Sequence, residues 1–135
     1  SSWHEQVMDG LLANAVSAIS DAGAQATVVR VPGSFELGVA AMRAAKTGDF
    51  DAIVALGVII RGGTPHFDYV CSAATDALNR VSLDTGVPVG FGLLTCDDDA
   101  QALDRAGLPH SRENKGKEAA EAALLMVHTF RSLGL

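Results

Sequence analysis

The sequence predicts an α/β domain: a parallel sheet covered by helices on both faces. Three observations lead there. Helical and strand-like stretches alternate almost strictly along the 135 residues. The strand-like stretches are short, apolar and rich in β-branched residues, as strands buried on both faces are. Three of them end in an abrupt polar turn, "RVPGSFE", "VIIRGGTPHF" and "LLTCDDD". In open parallel sheets ligands bind beyond the carboxyl ends of the strands. Those turns are therefore where function is expected.

The elements follow in order. From Val7, apolar residues recur at helical spacing: Val7, Leu11, Ala15 and Ile19, with Leu12 and Val16 beside them. Gly23 stops this helix. "ATVVRV", Ala26 to Val31, is β-branched and reads as a strand that Pro32-Gly33 ends. "FELGVAAMRAAKTG" reads as a second helix, closed by Gly48, and Asp51 to Ile60 as the next strand. A third helix runs from about Pro65 to Asp84, with Val70, Ala74, Leu78 and Val81 on one face and Gly86 as its stop. "PVGFGLLT", Pro88 to Thr95, is a further strand. "DDDAQALDRA" is a short helix with acids in its first turn, where the helix dipole favours them. After the loop "GLPHSREN" a last helix covers Lys115 to Leu133. No repeat, low-complexity tract or linker interrupts the chain, so one domain is expected. Three strands are few for such a sheet, and the chain opens on a helix. It begins Ser-Ser-Trp-His without an initiator Met. The expectation is an N-terminally truncated domain whose first strand lies upstream of Ser1.

Composition narrows the partners. Apolar residues are 48%, charged ones 19%, and the net charge is −6. That balance is greasy for a lone domain and points to large subunit contacts; alanine-rich helices are the plainer reading. No apolar run approaches the ~18 residues of a membrane span. Net negative charge argues against general affinity for nucleic acid or anionic lipid. Cys71 and Cys96 form no CxxC and no His/Cys cluster, so no zinc site is expected, and two free thiols fit a reducing cytoplasm.

The strand ends carry the chemistry. In Arg61-Gly62-Gly63-Thr64-Pro65-His66, Thr64 suits an N-cap and Pro65 a first helical position. Two glycines let backbone approach a ligand, and a helix N-terminus is an anion site; the alternative is an ordinary strand-to-helix turn. The motif GxxxxGK[ST] of a Walker loop is absent. His66 falls in the first helical turn, where the dipole disfavours the imidazolium; it is either a proton-transfer group or a surface residue. Glu36 either accepts hydrogen bonds from sugar-like hydroxyls or merely favours a helix start. Arg105 and Lys115 flank the loop "AGLPHSREN", as phosphate ligands or as solvated charges. His4, His110 and His128 show no ligand spacing and read as structural or exposed.

Together these segments resemble the lumazine synthase family of riboflavin biosynthesis. The matching stretches are "SSWH", "RVPGSFEL", "DAIVALGVIIRGGTPHFDYV", "TGVPVGFGLLT", "QALDRAG" and "NKGKEAAEAAL", in the family's order and over nearly the whole chain. The resemblance implies a flavodoxin-like three-layer α/β/α fold with a parallel four-stranded sheet, whose first strand is missing here. It implies a transferase that condenses 5-amino-6-ribitylaminouracil with 3,4-dihydroxy-2-butanone 4-phosphate. The products are 6,7-dimethyl-8-ribityllumazine, phosphate and water. No metal or organic cofactor is implied.

Residue by residue, Trp3 matches the aromatic that stacks on the pyrimidine, commonly Phe in the family. Ser34, Phe35 and Glu36 match the segment that holds the ribityl chain. Val58, Ile59 and Ile60 match the strand end that reads the uracil edge through backbone groups. Gly63 and Thr64 match the phosphate loop, and His66 the proton-transfer residue. From the neighbouring subunit the resemblance implies Phe91 against the heterocycle, Arg105 on phosphate, and Lys115 and Glu118 of the NKGxE motif. It implies a homopentamer with shared sites, and in some members a hollow shell of twelve pentamers. Shell-forming members keep a short connection such as "AGTKAGNKG". Here "AGLPHSRENKG" is two residues longer, stiffened by Pro109 and charged by Arg112 and Glu113, so a pentamer is expected. Two other readings are a flavin- or lumazine-binding protein without catalysis and a structural shell protein. The first needs neither His66 nor the phosphate cations, and the second needs no site.

Overall fold

A computed structural model describes residues 2–135. Helix α1, Trp3–Asp21, is followed by a 3₁₀ turn at Ser34–Glu36 and α2, Leu37–Lys46. Strand β1, Ile53–Ile60, leads to α3, His66–Thr85, and β2, Val89–Cys96, to α4, Asp99–Arg105, and α5, Lys115–Leu133. β1 and β2 pair in parallel, Ile53 opposite Val89 through Ile60 opposite Cys96.

Each face of the sheet owns half the core. Ala55 and Leu93 pack with Ala41, Ala45, Ala74, Leu78 and Val81 of α2 and α3. Leu94 and Cys96 pack with Val7, Leu11, Ala102 and Ala106 on the α1/α4 side. That division is the period of two in a strand, with alternate residues facing opposite layers. Val7 and Leu11 are fully buried, each worth about 1.5–3 kcal/mol in transfer free energy. Two glycines set the close approach of α5. A Cβ on Gly90 would collide with the Ala119 carbonyl, and one on Gly116 with the Leu11 carbonyl.

The structure bears out the α/β class and the parallel pairing, and corrects several details. α1 starts at Trp3, one turn before the apolar periodicity, because the Ser2 hydroxyl accepts from Glu5 N–H at 3.2 Å and caps it. Thr64 is not the cap of α3. Pro65 holds that position, its carbonyl accepting from Asp68 and Tyr69, and no side chain caps the helix.

The larger correction concerns Ala26 to Val31. This stretch is not in the sheet, which has two strands among the described residues. Clefts separate it from β1. One is lined by Met8, Leu12, Val28, Arg30, Val54 and Leu56, the other by Thr27, Val29, Val31, Leu37, Ala41 and Val54. Val29 is left 73% exposed. β-branched composition makes a segment fit a pleated surface, but a strand forms only where a neighbour lies within ladder distance, about 4.8 Å.

Candidate active site at the strand ends

The carboxyl end of β1 gathers the first group of residues. Val58 and Ile60 face α1, and half-buried Trp3 packs with them against the Val7–Leu11 cluster. His4 meets Trp3 edge-on, with ring centroids 5.6 Å apart. On the other face Ser34 lies over Gly57, because only a glycine leaves room there: an added Cβ would stand 3.0 Å from Ser34 Oγ. Glu36 folds back toward Gly33 and makes no hydrogen bond or ion pair among the described residues, so its carboxylate is free to accept hydroxyls. Phe35 is 65% exposed.

The loop after β1 is bare. Gly62, Gly63 and Thr64 are exposed, and a Cβ at either glycine would meet nothing within 4 Å. Among the described residues their N–H groups make no hydrogen bond to protein, nor do those of His66 and Phe67 at the start of α3. A run of unsatisfied N–H groups at a helix N-terminus is suited to an anion. His66, the first residue of α3, is exposed beside it.

One residue of the motif escaped the sequence reading. Arg61 Nε donates to Asp97 Oδ1 at 2.8 Å, NH1 lies 3.6 Å from Asp68, and the guanidinium stacks 4.5 Å above the Phe67 ring. Arg61 N–H also donates to the Cys96 carbonyl at 2.9 Å, extending the ladder by one bond. The bare loop is thereby tied at both ends, to the end of β2 and to the first turn of α3. The pairing raises the Arg61 pKa and lowers that of Asp97. Burial raises both free thiols, Cys71 and Cys96.

The second group lies around the α4–α5 connection. Arg105 NH1 donates to the Gln101 carbonyl at 2.9 Å, and its Nε is 3.5 Å from Glu113. Lys115 Nζ reaches the same Glu113 at 3.1 Å and Glu118 at 3.4 Å, and these carboxylates raise its pKa, Glu113 first. The loop is tightly braced. Arg112 bonds Asp104 through backbone and side chain at 2.9 and 2.7 Å, and Asn114 caps α5 by accepting from Lys117 N–H at 3.2 Å. Phe91, on β2, is 47% exposed. No hydrogen bond, ion pair or ring contact among the described residues joins Phe91, Arg105, Lys115 or Glu118 to the first group. Glu113 was read only as a charge in a long loop.

Fold and site define a class: a parallel α/β protein with a bare glycine turn after one strand and, around the α4–α5 connection, two cations held by one carboxylate. Comparison with known proteins narrows it. Residues 1–131 match the model of the 6,7-dimethyl-8-ribityllumazine synthase family. A protein of that name from Arthrobacter sp. (strain FB24) is 64% identical over 132 residues, 97% of this chain and 81% of the relative. One from Pseudarthrobacter chlorophenolicus is 66% identical over 125 residues, 92% of this chain and 76% of the relative. A third, from Renibacterium salmoninarum, is 63% identical over 138 residues, 97% and 86% of the two chains. The chain belongs to the 6,7-dimethyl-8-ribityllumazine synthase family.

Proposed function

We propose that the chain condenses 5-amino-6-ribitylaminouracil with 3,4-dihydroxy-2-butanone 4-phosphate, releasing phosphate and water and forming 6,7-dimethyl-8-ribityllumazine. The observation that carries this is the family match across residues 1–131, which spans every turn of the site. Trp3 stacks on the pyrimidine while Val58, Ile59 and Ile60 meet its edge through backbone groups. Ser34, Phe35 and Glu36 hold the ribityl chain. The phosphate rests on Gly63 and Thr64, with Arg105 opposite. His66 moves protons as the 5-amino group adds to the ketone and water leaves, as phosphate is eliminated, and as the ribitylamino nitrogen closes the ring with loss of a second water. The amine is already nucleophilic and phosphate a good leaving group. Most of the acceleration therefore comes from holding both substrates in place, worth ~7 kcal/mol or more.

The separation of the two residue groups supports a site shared between subunits, with Phe91, Arg105, Lys115 and Glu118 supplied by a neighbour. Such a head-to-tail contact repeats until a ring closes, here a homopentamer. Exposed Val39, Tyr69, Leu83, Leu125 and Met126 provide apolar surface for it. The substrates are small molecules; no nucleic acid or membrane takes part. No helix of the described residues is long and apolar enough to cross a membrane. Two free thiols favour the cytoplasm.

The clefts beside β1 carry a reading of the domain itself. They run between Ala26–Val31 and the outer edge of β1, and a third cleft, lined by His4, Arg30, Val31, Gly57 and Val58, continues them to the start of α1. The slot takes one more parallel strand, whose carboxyl end would meet the N-terminus of α1. That strand would complete a four-stranded sheet with Ala26–Val31 at its edge.

Mixing the purified chain with both substrates and following lumazine absorbance tests the activity. Turnover is expected, with a rate that EDTA does not change. Binding of the lumazine without turnover would identify a binding protein, and neither would leave a structural role.

A further inference from the structure

We propose that Glu113 is a built-in competitor for the substrate's phosphate group, its carboxylate held between Arg105 and Lys115 until an incoming phosphate displaces it. The inference rests on the reading of Arg105 as a phosphate ligand. Glu113 Oε2 lies 3.5 Å from Arg105 Nε, and Oε1 lies 3.1 Å from Lys115 Nζ. One oxygen thus faces each cation. A phosphate group offers the same pattern, several oxygens on one centre, and carries between one and two negative charges near neutrality. Both occupants ask for the same charge-assisted contacts, and the more highly charged one makes them more strongly.

The surroundings decide between a competitor and a brace. The Glu113 backbone is fixed: its N–H donates to the Asp104 carbonyl at 3.0 Å, and its carbonyl accepts from Gly107 N–H at 3.1 Å. Among the described residues its carboxylate has no partners but the two cations, and the side chain is 40% exposed. It can swing into solvent without moving the loop. The cations have other supports. Arg105 keeps its bond to the Gln101 carbonyl, 2.9 Å, and Lys115 keeps Glu118, 3.4 Å. When Glu113 leaves, both stay in place for the new anion. The pair is thereby biased against weakly charged carboxylates and toward phosphate.

The test measures inorganic phosphate as an inhibitor competitive with the butanone phosphate, and its binding by calorimetry, in wild type, Glu113→Gln and Arg105→Gln. Circular dichroism checks that each variant folds. Glu113→Gln is expected to bind phosphate roughly 2- to 10-fold more tightly, the scale of two partly exposed ion pairs. The KM for the butanone phosphate should fall with it, and the KM for the ribitylaminouracil should stay unchanged. Weaker phosphate binding by Glu113→Gln would make Glu113 a brace, and unchanged binding a spectator; either overturns the proposal. Arg105→Gln separates the two layers of argument. Should it leave phosphate binding intact, the phosphate site itself is misassigned. Should it weaken binding while Glu113→Gln does nothing, only the competitor role fails.

Discussion

His66 and Arg61 stand at opposite ends of the same bare loop, and they are expected to fail in different ways. His66→Ala removes the proposed proton carrier from an exposed position, so the fold should not notice. Turnover should drop by about 10²–10⁴-fold while affinity for the pyrimidine changes little; full activity would reduce His66 to a helix-start residue. Arg61 acts through geometry, and its partner gives a pH test. The Arg61 guanidinium holds the Asp97 carboxyl below its ordinary range. A carboxylate whose pKa is lowered by folding contributes stability above its unfolded value, and that contribution fades as pH falls through the folded value. Wild type should therefore exceed Asp97→Asn in stability at neutral pH and lose the advantage in acid, below about pH 4. Urea melts at neutral and acid pH check this, and a gap that widened in acid would refute the pairing. The turn at Arg-Gly-Gly-Thr-Pro-His was legible in sequence because glycine and proline punctuate a chain locally, though Thr64 does not cap the helix. The Arg61–Asp97 clip was not, because it depends on register: only the pairing of Ile60 with Cys96 brings the two residues after them together. Glu113 was missed for the same kind of reason. Its two cations belong to different helices, and one charge in a loop carries no mark of its partners.

At the scale of elements, helices were read well and one strand was not. The helical stripes of α1, α3 and α5 depend on local periodicity, which the chain carries with it. The start of α1 lies a turn ahead of its stripe because the Ser2 cap sets it, whereas α5 starts at Lys115 as expected. Ala26 to Val31 has every local mark of a strand and no ladder, since pairing needs a neighbour that local sequence does not specify. Exchange of amide hydrogens should show this directly. In this chain Val28 to Val31 should exchange about as fast as exposed loops, while Ala55, Gly57 and Ile59, whose N–H groups face β2, are protected. An apolar, β-branched segment joined ahead of Ser1 should enter the slot and slow the amides from Val28 to Val31. If these amides were already protected in the chain as it stands, the segment would be paired by some other route. If the added segment left them fast, the slot would not be a strand seat.

For the whole molecule the prediction is a single pentameric ring, set against a closed shell. The ring is expected from the proposed split of the site: no hydrogen bond or ion pair among the described residues joins Trp3, Glu36 or His66 to Arg105 or Lys115, and the proposed reaction uses both groups. The further step to a shell depends on how pentamers meet, and the connection ahead of α5 bears on that. It is longer by two residues than the short connection of shell-forming members, and its conformation is fixed. Arg112 is bound to Asp104 at 2.7 Å, Glu113 to the cation pair, and Ser111 Oγ to both Leu108 N–H and the Leu103 carbonyl. Pro109 and His110 are left exposed at the tip. A rigid, charged projection cannot fold aside to let two pentamers close on each other, and burying its exposed ion pairs would cost their desolvation. Light scattering and negative-stain microscopy at neutral pH should therefore show rings of five subunits and no hollow particles. Shells of sixty copies would refute this use of the loop and leave the shared site standing, whereas active monomers would refute the shared site itself.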